Sequence, residues 1–256
     1  MIITIDSNSF GKDSIAMIIE RKKRNITQPQ DIVLYSEVWA TPTMRAEPPA
    51  MVEFIEKAET ILKVKYDIEV THVRQKYSYE EQLYTKKIRG KNIGKIYGVP
   101  FFKSNWCTSV LKTTPLAKFT NNLKKQGNEL IVNIGYTYDE PERYKRLKEN
   151  QRAPLVDFEI TEAMAYKICK DEGLLSPIYR DASMRGGCWF CHNQRKSELK
   201  ELMLNYPDRW ELLKKWEKDT MQEYDSYQYG CFGSKTLNEY ELRWKRENKW
   251  NQLTLF

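Results

Sequence analysis

Short apolar runs alternate with helix-like stretches up to about residue 180, and this alternation limits the fold more than any other feature. Four runs rich in Ile and Val predict buried strands. Between the second and third, residues 48–64 repeat apolar side chains at helical spacing. Strands separated by helices of this length are typical of βαβ units and a parallel sheet. The predicted strands are Met1–Ile5, Ile32–Tyr35, Ile68–Val73 and Leu130–Gly135.

The character of the chain changes after Gly187, where charged stretches that carry tryptophans predict helices. We therefore predict an α/β domain over residues 1–180, with a doubly wound, mostly parallel sheet, and a helical C-terminal region over residues 181–256. A glycine- and lysine-rich stretch, Gly90–Gly98, predicts a mobile loop. The other predicted helices are Thr161–Lys170, Asn193–Asn205, Pro207–Tyr224 and Lys235–Trp250.

A polar string, Ser-Phe-Gly-Lys-Asp-Ser, follows the first predicted strand and precedes a helix-like run. Helix N-termini bind anions, glycine lets the backbone approach a phosphate closely, and lysine adds a mobile cation. The aspartate would cap the helix or help to hold Mg²⁺. The same string also fits an N-capped surface turn, and it has neither GxxxxGK[ST] nor GxGxxG spacing. The residues predicted to hold phosphate are Ser9, Gly11, Lys12, Asp13 and Ser14.

Charge and composition narrow the class of protein. The formal net charge is +7, which fits either a polyanionic partner, nucleotide or nucleic acid, or a generally basic protein. No apolar stretch approaches the length of a membrane span and the start has no signal-peptide pattern, so we expect a cytoplasmic protein without membrane contact. In that compartment the five cysteines are expected to be free, metal-bound or catalytic.

A CxxC pair, Cys188 and Cys191, lies beside two glycines and can supply two thiolates to one metal ion or cluster. Cys107 and Cys231 are candidates for the remaining ligands, whereas Cys169 lies in a helical pattern and is expected in the core. The next residue, a histidine, completes the c-type haem string, and a CxxC is also compatible with a redox dithiol. A metal or Fe–S site is favoured over both.

Four segments in order resemble the phosphoadenosine-phosphosulfate reductase family, a branch of the PP-loop (adenine nucleotide α-hydrolase-like) superfamily. The first string is similar to the SGGKDS pyrophosphate loop, with Phe10 replacing one glycine. The resemblance covers roughly residues 1–220. The segments are Ser9–Ser14, Trp106–Thr108 with Lys112 and Pro115-Leu116, Gly135–Glu140, and Gly187–Cys191.

The resemblance implies a doubly wound core whose first loop binds the phosphates of ATP, with Mg²⁺, or of an adenylyl sulfate. The end of the second strand, at Glu37, and the segment from Gly135 would border the nucleotide. Asp139, Glu140 and Arg143 would hold Mg²⁺ or phosphate, or else form a capped, solvated helix start.

Cluster-bearing members of the family hold their Fe–S cluster with a Cys-Cys pair and a later CxxC. Here Cys107 matches the second member of the pair, and Trp106 stands at the first. Three arrangements remain open. Cys231 replaces the missing ligand, a 4Fe–4S cluster keeps one open iron on Cys107, Cys188 and Cys191, or the four cysteines bind Zn²⁺.

Three functions follow as hypotheses. The leading one is an ATP pyrophosphatase that forms AMP and pyrophosphate and adenylylates a substrate for sulfur transfer, with Lys12 and Asp13 in catalysis. The second is a thiol-dependent reductase of adenylyl sulfate with Cys231 as nucleophile, although the family's Glu-Cys-Gly-x-His string is absent. The third is a zinc-stapled nucleic-acid-binding module. The implied partners are an adenine nucleotide, a nucleic acid (tRNA or DNA), and a thiol or sulfur-donor protein.

Overall fold

The computed structural model of the protein describes residues 1–100, 105–179, 186–224 and 230–253, with residues 248–253 described as backbone alone. The chain divides into two compact units. Unit 1 comprises Met1–Glu37, Pro49–Gln75 and Lys112–Asp181, and unit 2 comprises Val38–Pro48, Lys76–Leu111 and Ala182–Phe256. The predicted C-terminal region therefore falls in unit 2, together with two earlier segments that the sequence pattern did not assign to it.

The predicted parallel sheet is present in unit 1, where five parallel strands lie in the order β5-β2-β1-β6-β7. The third predicted strand starts two residues late, because Asp67 adopts a left-handed φ of 51° and the N–H of Ile68 donates to Leu62 O to end the preceding helix. The strands are β1 Ile2–Asn8, β2 Ile32–Ser36, β3 Trp39–Thr41, β4 Met44–Arg45, β5 Val70–Val73, β6 Glu129–Asn133 and β7 Gln151–Arg152.

The helices that the sequence pattern predicts are present. Thr161 caps its helix by accepting from the Met164 N–H, and Gly173 follows the end of that helix with a φ of +70°. The helices are α1 Lys12–Lys23, α2 Pro49–Tyr66, α3 Tyr79–Tyr84, α4 Thr114–Lys125, α5 Pro141–Tyr144, α6 Pro154–Asp157, α7 Glu162–Asp171, α8 Lys196–Asn205, α9 Pro207–Glu223 and α10 Leu237–Leu253. Of these, α3, α4, α5 and α6 were not predicted. A π-helical turn spans Thr108–Thr113, and a 3₁₀ turn spans Pro177–Tyr179.

Helices cover both faces of the sheet in unit 1, because successive strand residues point to opposite faces. Ile3 and Ile5 of β1 pack with apolar side chains of α4. Val33 and Tyr35 of β2 pack on the other face with α1, α2 and α7. Arg21 of α1 forms buried ion pairs with Asp6 and Asp31, fixing α1 to the sheet. This layering is compatible with the predicted doubly wound fold.

Unit 2 contains a second core, rich in aromatic side chains, beneath α3, α8, α9 and α10. Trp210, Trp216 and Trp244 are 2%, 0% and 6% exposed, so these tryptophans are core residues and do not present rings to solvent. The stretch containing Gly90–Gly98, predicted as a loop, is the turn and returning side of an antiparallel ribbon.

Within the described residues, no helix is both apolar and long enough for a bilayer crossing.

Candidate functional site

The Ser9–Gly11 connection joins β1 to α1 at the carboxyl end of a central strand, between β2 and β6. In open parallel sheets ligands bind beyond this edge. The Ser14 hydroxyl organises the turn, because it accepts from the Ser9 N–H at 3.2 Å and donates to Gly11 O at 3.0 Å. The Asn8 side-chain oxygen accepts from the N–H of Phe10 at 2.8 Å. The loop therefore has a defined shape held by its own side chains.

Phe10 occupies a left-handed backbone conformation, with a φ of 55°, which a glycine adopts without strain. Its side chain is fully buried, and its ring packs edge-on against that of Tyr35 at 4.9 Å between centroids. The resemblance places a glycine at this position. The buried ring fixes the loop in the same conformation from the core side.

Two glycines lie where the Ser9–Ser14 loop meets α1 and the segment after β6. Gly11 is the N-cap residue of α1 and has no side-chain cap. A Cβ on Gly135 would lie 2.8 Å from both Asp13 C and Ser14 N, so no side chain fits between the segment after β6 and the start of α1. Gly135 therefore packs directly against the backbone of the loop.

Lys12 is buried, and its ammonium lies 2.8 Å from both Asp13 Oδ1 and Glu162 Oε1. Burial alone would lower the pKa of Lys12, but hydrogen bonds to the two carboxylates raise it above its ordinary value. The backbone N–H of Lys12 makes a long contact of 3.4 Å to the Tyr179 hydroxyl. The site thus holds a positively charged lysine beside the N-terminus of α1.

Asp13 belongs to a group of acids at this edge of the sheet. Burial raises the pKa of Asp13, and the charges of Glu140 and Glu162 raise it further. Carboxylates grouped in this way are ordinary ligands of Mg²⁺, whose charge offsets their mutual repulsion. Glu140 also accepts from the Thr137 N–H and pairs with Arg143 at 2.6 Å.

Asp139 has a structural role in this arrangement. Its carboxylate accepts from the Glu162 N–H at 3.0 Å, at the start of α7. A hydrogen bond from the Thr137 side chain lowers the pKa of Asp139, and the bond from Glu162 N–H adds to this effect. Asp139 thus accepts from the first turn of α7, and it positions Glu162 beside Lys12.

Glu37 directly follows β2, and its N–H donates to Val73 O of β5 at 2.9 Å. Its carboxylate is 3.9 Å from His72 Nδ1. The loop after β1, Glu37 after β2 and Gly135 after β6 thus lie at the carboxyl ends of three adjacent strands. The structure brings these predicted nucleotide-binding positions to one edge of the sheet.

Cys169 is a core residue, as predicted, with no exposed surface. Its thiol donates to Lys12 O at 3.1 Å, and burial raises its pKa to about 12. It supports the first turn of α1 from within the core.

The other four cysteines lie around Tyr79 in unit 2. Burial raises the pKa of Tyr79 well above its ordinary value, and the negative charge of the four cysteines in their thiolate form raises it further. The Tyr79 hydroxyl is buried and has no hydrogen-bond partner among the described residues. No disulfide forms, and within the described ranges no three His, Cys, Asp or Glu side chains are spaced to hold a metal ion. The four cysteines are Cys107, Cys188, Cys191 and Cys231.

Trp106, at the position where the resemblance implies a cysteine, is part of the aromatic core. Its ring stacks on that of Tyr79 at 5.1 Å with an interplanar angle of 17°, and its Nε1 donates to Gly98 O. Phe190 of the CxxC packs on Tyr79 at 4.0 Å between centroids. Aromatic rings therefore fix the relative positions of Cys107 and the CxxC.

Cys231 has surroundings that oppose activation as a nucleophile. Burial raises the pKa of its thiol, and the charge of Glu217 raises it further. The Glu217 carboxylate accepts from the N–H of Cys231 at 2.9 Å and from that of Leu237 at 2.7 Å. Nucleophilic thiols have lowered pKa values, so the bare site does not favour the reductase hypothesis.

Sequence reasoning missed three site residues. Glu162 is marked only by its position in the predicted helix Thr161–Lys170, and Tyr179 belongs to no motif. Tyr79 follows Ser78, whose side chain forms a capping box with Glu81, a signal that predicts the helix start but not the contact with the cysteines.

Comparison with known proteins adds little to this geometry. An uncharacterized protein of Methanocaldococcus jannaschii is 24% identical over 151 residues, which cover 54% of this chain and 30% of that protein. The chain thus spans less than a third of the length of this relative. No family model matches the chain, and no solved structure matches it.

Proposed function

We propose that unit 1 is a PP-loop domain of the phosphoadenosine-phosphosulfate reductase family, which binds ATP with Mg²⁺ and cleaves it between the α- and β-phosphates. The AMP moiety would be transferred to an acceptor that later receives sulfur. The observation that carries the proposal is the ordered Ser9–Ser14 loop at the carboxyl edge of a five-stranded parallel sheet, with Glu37 and Gly135 on the adjacent strand ends.

The loop residues would bind the leaving pyrophosphate. The N–H groups of Gly11 and Lys12 make only long contacts of 3.4 Å, to hydroxyls, so stronger bonds to phosphate oxygens would replace them. The Lys12 ammonium would exchange its carboxylate partners for phosphate oxygens and stabilise the charge that develops there. Mg²⁺, when bound, neutralises the phosphates. Asp13 and Glu140 are the carboxylates placed to hold it.

The cysteine group of unit 2 offers the donor chemistry of a metal centre, with the buried, unpartnered Tyr79 hydroxyl nearby. Because no three of its side chains are spaced for a metal ion in the described residues, the cysteines would have to move closer together to hold one. Cys107, Cys188, Cys191 and Cys231 would hold the 4Fe–4S cluster or zinc that the resemblance implies, with Cys231 in place of the ligand lost at Trp106. A bound cluster would provide a thiolate-held site for sulfur, and zinc a structural link. The Tyr79 hydroxyl would donate a hydrogen bond to a ligand sulfur.

The test compares Lys12→Ala with Lys118→Ala, a change at an exposed lysine of α4 in the same unit. Lys12→Ala is expected to weaken Mg²⁺–ATP binding at least about tenfold, the loss of roughly one charge-assisted hydrogen bond. It should also remove AMP and pyrophosphate formation while the circular dichroism spectrum stays native. Lys118→Ala should match the wild type. Unchanged nucleotide binding and turnover in Lys12→Ala would refute the phosphate-loop assignment.

A further inference from the structure

A two-stranded ribbon in unit 2 carries an unusual concentration of positive charge. Residues 86–95 contain five Lys or Arg side chains and no Asp or Glu. Successive backbone hydrogen bonds join its two sides, from Gly98 N to Leu83 O and from Lys87 N to Lys95 O. We call residues 84–98 the basic ribbon. None of the functions assigned above uses it.

The stem of the basic ribbon is fixed to α9 and the residue that follows it. The Lys95 ammonium donates to Glu223 O at 2.6 Å, and that of Lys87 donates to the Tyr224 hydroxyl at 2.7 Å. The Tyr84 hydroxyl donates to Asp219 at 2.5 Å. These contacts use two of the five cations to hold the stem, so the ribbon projects from a rigid base.

The remaining three cations have no such structural task. Lys86, Arg89 and Lys91 are exposed, and no described residue forms an ion pair with them. Lys215 of α9, also exposed, lies over the Tyr84 ring at 5.5 Å and extends this positive surface beyond the stem. Like charges held together without acidic partners repel each other, and a polyanion relieves that repulsion.

Two isoleucines stand among these cations. Ile88 is 81% exposed and Ile93 is 66% exposed, on opposite sides of the turn. Neighbouring Lys and Arg bind phosphates in nucleic-acid complexes, and apolar side chains enter duplex base steps only at the cost of unstacking them. That cost is lowest for unpaired bases, which favours a single strand over a duplex. An acidic protein surface would match the charges but offers no comparable stack of flat apolar surfaces.

We propose that the basic ribbon binds single-stranded nucleic acid, with Lys86, Arg89, Lys91 and Lys215 on phosphates and Ile88 and Ile93 on unpaired bases. Binding stands on the ribbon alone. The further step, that this nucleic acid is the acceptor of the adenylyl group, rests on the proposed function.

The test uses the full chain and labelled RNA and DNA oligonucleotides of about 20 nucleotides, longer than a typical single-strand site, each single-stranded and as a duplex. The ribbon variant is Lys86→Gln/Arg89→Gln/Lys91→Gln. The matched control is Lys118→Gln/Lys124→Gln/Lys125→Gln, which removes the same charge from exposed positions of α4. Fluorescence anisotropy is measured over a series of salt concentrations.

The ribbon variant is expected to bind single strands about 100-fold more weakly near 0.1 M salt, with a salt slope smaller by about 2, because each lost phosphate contact contributes about 0.7. Ile88→Ala/Ile93→Ala should weaken binding equally at every salt concentration. Preference for RNA or DNA identifies the class of acceptor. Equal losses in the two triple variants, no binding by the wild type, or tighter binding of duplex than of either strand would overturn the proposal.

Mg²⁺–ATP binding is measured in parallel, and the ribbon variant should keep it. If the wild type binds nucleic acid through the ribbon but does not bind ATP, the proposed function fails and the ribbon assignment stands. If ATP binds and the ribbon variant binds nucleic acid like the wild type, the opposite holds.

Discussion

Gly135→Ala is the most direct test of how the sheet edge would form the proposed nucleotide site. The added Cβ would lie 2.8 Å from Asp13 C and Ser14 N and 2.9 Å from Asp13 O, whereas ordinary contacts begin at 3.4 Å. One of the two backbone segments must therefore move by about 0.6 Å, the difference between 3.4 and 2.8 Å. Overpacking of this kind costs about 1–3 kcal/mol.

The displacement should affect nucleotide binding more than stability, because the backbone that must move is the first turn of α1. We expect Gly135→Ala to lose about 1–3 kcal/mol of unfolding free energy and to bind Mg²⁺–ATP at least about tenfold more weakly, since small displacements of phosphate-binding groups have large effects. Urea unfolding measures the first quantity and calorimetric titration the second.

Gly173→Ala provides the matched control. This glycine lies in unit 1, after α7, with a φ of +70° and no atom within 4 Å of an added Cβ. Its substitution should cost about 1 kcal/mol through backbone strain alone and leave ATP affinity unchanged. If Gly135→Ala and Gly173→Ala lower stability alike and neither changes ATP binding, the close approach has no part in forming the site.

Two further predictions concern ionisation and the cysteines. Burial alone would raise the pKa of Glu172, but hydrogen bonds from two lysines lower it from 4.5 to about 2. The ionised Glu172 carboxylate therefore stabilises the fold above pH 4.5, and this contribution is lost as the pH falls towards 2. Glu172→Gln should cost about 1 kcal/mol at pH 7, reduced by solvent screening, and nothing near pH 2 in urea unfolding; a loss that is independent of pH would contradict the pairing. Cys231→Ser should lower the iron or zinc content of anaerobically purified protein by at least half, with sulfide following iron, and Cys169→Ala should not; equal metal content in both would remove Cys231 from the ligand set.

The sequence predicts the sheet well because its signals are local. Four apolar runs gave four of the five strands of the sheet, and Thr161 and Gly173 marked both ends of α7. The short β7, Gln151–Arg152, has no apolar pattern and was missed. The composition of unit 2 was also missed, since it joins Val38–Pro48 and Lys76–Leu111 to the C-terminal helices through contacts distant in sequence. Hydrophobic periodicity along the sequence predicts local elements and carries no information about contacts between distant segments.

The candidate site shows the same limit. Residues 9–14 predict a phosphate loop because helix-start chemistry is local. The carboxylate that pairs with Lys12 from α7 is 150 residues away in sequence, as the positions 12 and 162 show. The role of Tyr79 could not be predicted for the same reason, because the cysteines near it are distant in sequence. The sequence could list the four cysteines, and only the fold could show that they surround one buried phenol.

Phe10 shows how a local sequence feature and a distant packing contact together fix the conformation of the Ser9–Ser14 loop. A left-handed backbone costs a non-glycine residue about 1–2 kcal/mol, whereas full burial of a phenylalanine side chain gains about 1.5–3 kcal/mol. The two terms nearly cancel, so the substitution is tolerated without a large gain in stability. Its effect is instead on mobility: a glycine here could visit many conformations, and the ring packed on Tyr35 restricts the loop to one. If the loop binds phosphate as proposed, this preorganisation reduces the conformational entropy that it loses on binding.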